Sequence, residues 1–337
     1  IPAVSAVVDG NLILQVLGRI DGKKSSLKIG RQPAGNQANG PLRVHPTNPR
    51  YFTDDSGKAI RLAGHQIFCD LQDNSFAMEF TYGNKRALDW AWYLDFAAER
   101  QLNFLRNWII WSTGGGTPDP HRTASPMMYQ RTGPGNASDG RPKFDLHRFD
   151  QKFFDRLRAR VQQAGERGIY VSIMLFEPYG FGPGDFNPGP RLWKGNVFNG
   201  NNNVNGIDAD ADGDEWGWEF FYTKDPAIRA LQYAYVDKVI DTVNDLDNVL
   251  YEVANELYAP EWQYDIIRHI HNYEARKPKQ HVVYMSPGGR TASGGWTDHT
   301  AAHLLKSPAD CVGIKLAPRE VFLNDPPVAD PAKPVMW

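Results

Sequence analysis

The run Asn248-Val-Leu-Tyr-Glu-Val-Ala-Asn255-Glu256 ends an apolar stretch with an amide and a carboxylate side by side. Breaking a glycosidic bond requires a carboxylic acid to protonate the leaving oxygen and a second carboxylate to meet the oxocarbenium-like centre. Glu256 suits the proton donor. Asn255 suits a hydrogen bond to a sugar hydroxyl that strengthens as the transition state forms. An Asn-Glu pair also arises by chance, and a strand-end glutamate serves as readily to cap a helix or pair with a cation. The elements that carry the dipeptide therefore decide its meaning.

Seven apolar runs read as strands: 60–68, 103–110, 168–176, 248–254, 281–285, 311–316 and one beginning near Pro334. Helical patterns fall between them at 88–100, 149–167, 226–244 and 261–276. In the second, Phe149, Phe153, Phe154, Leu157 and Val161 recur at three- and four-residue steps, which makes one apolar stripe for the core. Alternating strands and helices predict a parallel sheet wrapped by helices, here a (β/α)8 TIM barrel with its active site at the C-terminal rim of the strands.

The chain stops at Lys333-Pro-Val-Met-Trp337, within the seventh run, so the expected barrel is truncated there. A retaining enzyme of this architecture carries its nucleophilic carboxylate at the end of the seventh strand, which places it beyond Trp337. The first residues, Ile1-Pro-Ala, carry neither an initiator methionine nor a leader pattern, and a signal peptide is neither indicated nor excluded. Residues 1–30 read as a β-rich segment or the end of a preceding module, 31–40 as a linker rich in Gly, Pro and Asn, and 41–337 as the barrel domain. A hairpin over 42–44 and 51–53 leads into the first strand.

Three segments resemble a known family: Asn48-Pro-Arg-Tyr-Phe-Thr-Asp-Asp-Ser-Gly-Lys-Ala-Ile-Arg-Leu-Ala-Gly-His65, Asn103-Phe-Leu-Arg106-Asn-Trp108, and the run ending at Glu256. Together they are similar to the apiosidase-like glycoside hydrolases and, more broadly, to clan A barrels such as cellulases, over roughly residues 40–337. The resemblance implies a bacterial enzyme, secreted or periplasmic, acting on plant-type glycans. Apiosidases proper tend to end strand four in a Gly-Gly-Asp type sequence. The Ala254-Asn255-Glu256 ending here implies a divergent relative with a different sugar specificity.

On that resemblance Arg106, leaving strand two, would stand near the nucleophile and hold it ionised; the alternative is a structural ion pair. His65, ending strand one, is expected either to bind a sugar hydroxyl or to be satisfied within a network. Glu177, closing strand three, is the backup catalytic carboxylate, with substrate binding or a structural hydrogen bond as its other roles. Trp108, Trp111, Tyr179, Tyr258 and Trp296, with Trp193, Trp216 and Trp218, fall at strand ends or in the loops that follow, where flat faces would stack on sugar rings. Trp90 and Trp92, on a helix, are assigned to packing.

The loop Asp208-Ala-Asp210-Ala-Asp212-Gly-Asp214-Glu-Trp-Gly-Trp-Glu219 fits a calcium-loop pattern of spaced acids, a turn glycine and a glutamate at the twelfth position. Either a structural Ca2+ orders this loop or it is a solvated acidic segment. The proposed chemistry requires no cofactor.

A net charge of −2, from 37 basic and 39 acidic residues, gives no field for nucleic acid. No apolar run approaches the ~20 residues needed to span a bilayer. Cys69 and Cys311 are expected at opposite ends of the barrel, too far apart to bond. A metal-dependent hydrolase would need several histidines at the rim, and strand one offers only His65. The stronger rival to a glycosidase acting on an oligo- or polysaccharide is a noncatalytic carbohydrate-binding barrel, which would keep the aromatic rim and lack the acid pair.

Overall fold

The computed structural model describes residues 6–9, 11–14, 38–74, 88–113, 124–182, 192–291, 293, 296–313 and 333–336. Its centre is a parallel sheet of seven strands, β1 (Gly64–Ile67), β2 (Phe104–Asn107), β3 (Tyr170–Phe176), β4 (Val249–Ala254), β5 (Val282–Met285), β6 (Cys311–Gly313) and β7 (Val335–Met336). They pair strictly in chain order, with β1 and β7 as the two edges among the described residues. Helices α1 (Trp90–Glu99), α2 (Gln151–Gly165), α3 (Pro226–Val243), α4 (Pro260–Glu274) and α5 (Ala301–Lys306) lie between strands in sequence. This is a partial (β/α) barrel, and each of the seven sequence-predicted runs contributes one of its strands.

Alternation along the strands builds two apolar layers. Val171, Ile173 and Leu175 of β3, with Val249, Tyr251 and Val253 of β4, face the helices and join the larger core. Tyr170, Leu250, Val282, Tyr284 and Cys311 face the opposite way, into the barrel, where Leu42 and Phe52 join them. Leu42 precedes and Phe52 belongs to the hairpin Arg43–Val44 with Phe52–Thr53, which therefore plugs one end of the barrel. Each large apolar side chain fully buried in this way contributes roughly 1.5–3 kcal/mol. In α2 the stripe Phe153, Phe154, Leu157 and Val161 is buried, and Asp150 caps the helix by accepting from the Lys152 N–H at 3.0 Å. Phe149 precedes that cap and ends a strand instead of continuing the helical stripe.

Other described elements escaped the sequence pattern. A long hairpin, Tyr129–Asn136 with Pro142–Phe149, precedes α2, and a short one, Gly288–Arg290 with Trp296–Asp298, follows β5. Helix α5 is capped by Thr300. The expected N-terminal β segment contains the antiparallel pair Ala6–Asp9 and Asn11–Leu14. The rest of residues 1–30 and most of the linker 31–40 lie outside the described residues. Both cysteines are free and buried.

The segment 192–218 is held by buried asparagines. Asn202 donates to the carbonyls of Lys194 (2.8 Å) and Asn196 (2.7 Å) while accepting from the Ser138 N–H (2.8 Å). Asn203 donates to the carbonyls of Val197, Asn199 and Ile207 and accepts from the Ile207 N–H. These side chains supply partners that a segment with little sheet or helix otherwise lacks. Asn203→Ala should lower the unfolding free energy by about 2–3 kcal/mol by stranding buried carbonyls. The exposed neighbour, Asn201→Ala, should cost under about 0.5 kcal/mol. Urea unfolding of the two variants checks the difference.

Candidate active site

Inward-facing positions near the C-terminal ends of β1, β2 and β4 carry polar groups in place of apolar ones. Strand register sets Gln66 beside Arg106 and Arg106 beside Ser172. One step further along, Met174, Glu252 and Tyr284 stand in a row. Arg106 reaches across β3 to Glu252, donating from Nε at 2.6 Å and from Nη2 to the other carboxylate oxygen. Its Nη1 donates to the Gln66 amide oxygen at 2.7 Å, and Nη2 also donates to the Asn255 amide oxygen at 2.7 Å. Glu252 is 1% exposed and the Arg106 side chain 20%. The guanidinium lies 5.2 Å from the centroid of the Trp108 ring, within the range of a cation–π contact.

Asn255 and Glu256 follow β4. The Asn255 N–H donates to the Phe176 carbonyl at 3.1 Å, which fastens the turn to β3. With its amide oxygen held by Arg106, Asn255 is buried, whereas Glu256 is exposed at the barrel mouth. Partial desolvation of the Glu256 carboxyl raises its pKa above the ordinary glutamate value. The Arg106 charge and a hydrogen bond from the Asn255 side chain oppose that rise, and the Glu252 charge reinforces it. Glu177, after β3, is 2% exposed and accepts from the Tyr179 N–H (2.6 Å) and the Gly180 N–H (3.0 Å) of the short helix it caps. Burial pushes its pKa up to about 8 against those two bonds.

For His65 and Arg106 the structure shows the second of the two expected roles, a hydrogen-bonded network and an ion pair, and three of the tryptophans lie deeper than expected. His65 lies on the outer face of β1, its Nδ1 2.9 Å from the Tyr93 hydroxyl of α1, because strand alternation sends Gln66 inward in its stead. Arg106 is engaged by Glu252, a partner within the described strands, since a desolvated guanidinium requires the carboxylate that shares its interior. Trp111 is fully buried, stacked on Phe176 with ring centroids 5.4 Å apart and its indole N–H donated to the Leu175 carbonyl. Trp193 and Trp218 are buried in the same aromatic core. Trp108, Tyr179 and Tyr258 are half-buried and Trp296 is 47% exposed. The Tyr258 ring packs 5.2 Å from that of His299.

Four residues at or beneath the mouth were not anticipated: Gln66, Glu252, Tyr284 and His299. A charged residue on the inward parity of an apolar strand, four places before Glu256, was the available signal for Glu252. His299 is buried, its Nδ1 3.0 Å from the Ser286 carbonyl oxygen, and burial pushes its pKa down to about 4. Nδ1 therefore carries the proton it donates, and Nε2 is an acceptor with no hydrogen-bond partner among the described residues.

In the acidic loop, Asp210, Asp212 and Glu219 converge with one oxygen of each within 4.8 Å of the others. Asp208 and Asp214 do not join them; they accept from the backbone N–H groups of Asp210 and Trp216. Gly213, sixth in the pattern, has φ +77°, the sharp turn that such loops require. A buried Glu219 Oε2 has no hydrogen-bond partner among the described residues, so the three-carboxylate cluster fits a hard cation.

Residues 124–290 match a family described as a domain of unknown function, DUF6298. No curated protein matches the chain. Among solved structures it is similar to the glycoside hydrolase family 5 mannosidase of Rhizomucor miehei, at 13% identity and a TM-score of 0.50 over 82% of this chain and 61% of that one. It is also similar to a glycoside hydrolase family 5 structure from Bacteroides vulgatus ATCC 8482, at 13% identity and a TM-score of 0.49 over 90% of this chain and 54% of that one. The chain thus spans between half and two thirds of the length of these structures. At these identities the likeness to the mannosidase bears on the barrel fold alone.

Arg106→Met and Glu252→Leu should each lower the unfolding free energy by about 3–5 kcal/mol, because each leaves a buried charge without its partner. The double variant should lose clearly less than the sum. Urea unfolding of the wild type, both single variants and the double variant measures the coupling; strictly additive losses would mean that the two charges do not depend on each other.

Proposed function

We propose that this barrel is a retaining glycoside hydrolase in which Glu256 is the general acid and then the general base. One observation carries the reading: Glu256 is exposed at the mouth of the barrel, with its pKa raised by partial desolvation, beside an Asn255 that Arg106 holds in place. A carboxyl with a raised pKa holds its proton to higher pH than an ordinary glutamate does, and such a proton can pass to a glycosidic oxygen. The second carboxylate belongs at the end of β7, about 5 Å from Glu256, as retention requires. Glu177 serves the scaffold as a cap, and Asn255 and Arg106 shape the subsite beside the acid. Trp108, Tyr179, Tyr258 and Trp296 supply half-buried or exposed faces for sugar rings.

The substrate class is plant-type glycan, on the strength of the resemblance to the apiosidase-like hydrolases, with a sugar specificity of its own. That resemblance also supports a secreted or periplasmic bacterial enzyme. None of the described helices is long and apolar enough to cross a membrane. Asp210, Asp212 and Glu219 would hold a calcium ion that orders the loop and takes no part in the chemistry. Calcium should then raise the melting temperature of chelator-treated protein, and Asp212→Asn should remove the rise; equal melting with and without calcium would dismiss the site.

Sugar release from a panel of plant polysaccharides, by the chain extended past Trp337 and by its Glu256→Gln variant in parallel, tests the catalytic reading. Release should fall at least ~100-fold in the variant. Equal release by both proteins would refute Glu256 as the acid. Binding without release by either would favour the noncatalytic carbohydrate-binding barrel.

A further inference from the structure

Glu256 has φ +41°. For a residue with a β-carbon the left-handed region costs roughly 1–2 kcal/mol, and such a conformation persists only where the surroundings over-determine it. On one side, Asn255 is fixed by its N–H to the Phe176 carbonyl and by Arg106 on its amide. On the other, Leu257 is fully buried and its carbonyl accepts from Gln263 at 3.0 Å. These contacts anchor the flanks and leave the Glu256 peptide itself to be held from above.

The backbone of Gly289 does this. A β-carbon at Gly289 would stand 2.0 Å from the Glu256 carbonyl oxygen, 2.1 Å from its carbonyl carbon and 2.5 Å from its Cα. All three are backbone atoms that no rotamer change can move. Gly289, at φ +157°, lies in the first strand of the short hairpin after β5, opposite Thr297. The hairpin therefore lies flat on the turn that presents Glu256, and only a residue without a side chain permits the approach.

We propose that Gly289 is a positioning residue for Glu256, its bare backbone pressing the Glu256 peptide into the left-handed turn that aims the carboxyl at the barrel mouth. The proposal rests on the reading of Glu256 as the proton donor for its significance, though not for its geometry. It assigns the paired strands Gly288–Arg290 and Trp296–Asp298 a task besides presenting Trp296: they fix the acid's backbone.

Gly288 provides a matched control. At φ +118°, a β-carbon there would stand 2.5 Å from the His299 nitrogen and 2.7 Å from the Asp298 Cα, a clash confined to the hairpin and its exit. The test follows the titration of Glu256 by carbon NMR of glutamate-labelled protein, with Glu256→Gln identifying the resonance. Gly289→Ala should move the Glu256 midpoint down toward the ordinary glutamate value, changing its ionisation constant at least threefold, because a displaced carboxyl loses its desolvated setting. Gly288→Ala should lower thermal stability and leave the midpoint in place. An unmoved midpoint in folded Gly289→Ala, or an equal shift in Gly288→Ala, would overturn the proposal.

Should Gly289→Ala not fold, Glu256→Gly and Glu256→Ala decide. Glycine at a left-handed position should leave the unfolding equilibrium constant roughly two- to fivefold smaller than alanine does. Alanine as stable as glycine would show that the turn is not imposed. Neither readout uses turnover. Loss of the acid role in the sugar-release experiment and loss of the positioning role here are therefore separate results.

Discussion

The ion pair between Arg106 and Glu252 is the constraint from which the rest of the site follows. Both side chains point into the barrel, and a guanidinium taken out of water is costly unless its donors are met. They are met by Glu252 at Nε and Nη2, by Gln66 at Nη1 and by Asn255 at Nη2. This ties β1, β2 and β4 to one register, since a one-residue slip of any of them would turn its polar side chain into the apolar layer under the helices. Asn255 is both a ligand of the pair and the neighbour of Glu256. The same interaction that satisfies the interior charge therefore fixes where the exposed carboxyl begins.

Among the described residues Glu177, Glu252 and Glu256 share the charge of Arg106, and the sharing is unequal. Glu252 takes Arg106 directly, while Glu256 and Glu177 feel the guanidinium from farther away and lose more to desolvation than they gain from it. Two carboxyls are thereby inclined to keep their protons. Glu177, with a pKa pushed up to about 8, is 2% exposed, and both its oxygens accept from backbone N–H groups. Only Glu256 meets the solvent, so only it can hand a proton to a bound molecule. Burial has separated two chemically identical groups into a cap and a candidate acid.

The barrel was legible because its strands are long apolar runs with helical stripes between them, a pattern that local sequence carries in full. The Asn255-Glu256 ending was legible because it interrupts such a run. What local sequence left open was direction. His65 and Gln66 are adjacent, and choosing the inward one requires the parity of β1, which only its pairing with Arg106 supplies. Glu252 was hidden because its meaning depends on a partner 146 residues away. The tight approach of Gly289 to Glu256 was likewise invisible, because a glycine in a Gly-Pro-rich turn gives no hint of which backbone it lies against.

The tryptophans misled for a related reason, and their true positions show that the two sides of the mouth are built on different principles. After β3 and β2, Trp111, Trp193 and Trp218 join Phe181, Phe198 and Phe220 in a buried aromatic cluster, and the asparagine network pins the chain around it. That side is a second small core, rigid because its apolar packing and polar satisfaction reinforce each other. After β5 the described contacts are of another kind: glycine backbone laid on backbone, a short two-stranded hairpin and a histidine with one nitrogen unmatched. The hairpin draws support from the turn it clasps, just as the turn's left-handed conformation comes from it. Glu256 thus stands between a wall fixed by packing and a wall fixed by backbone fit, and a change to the second would be felt first at its carboxyl.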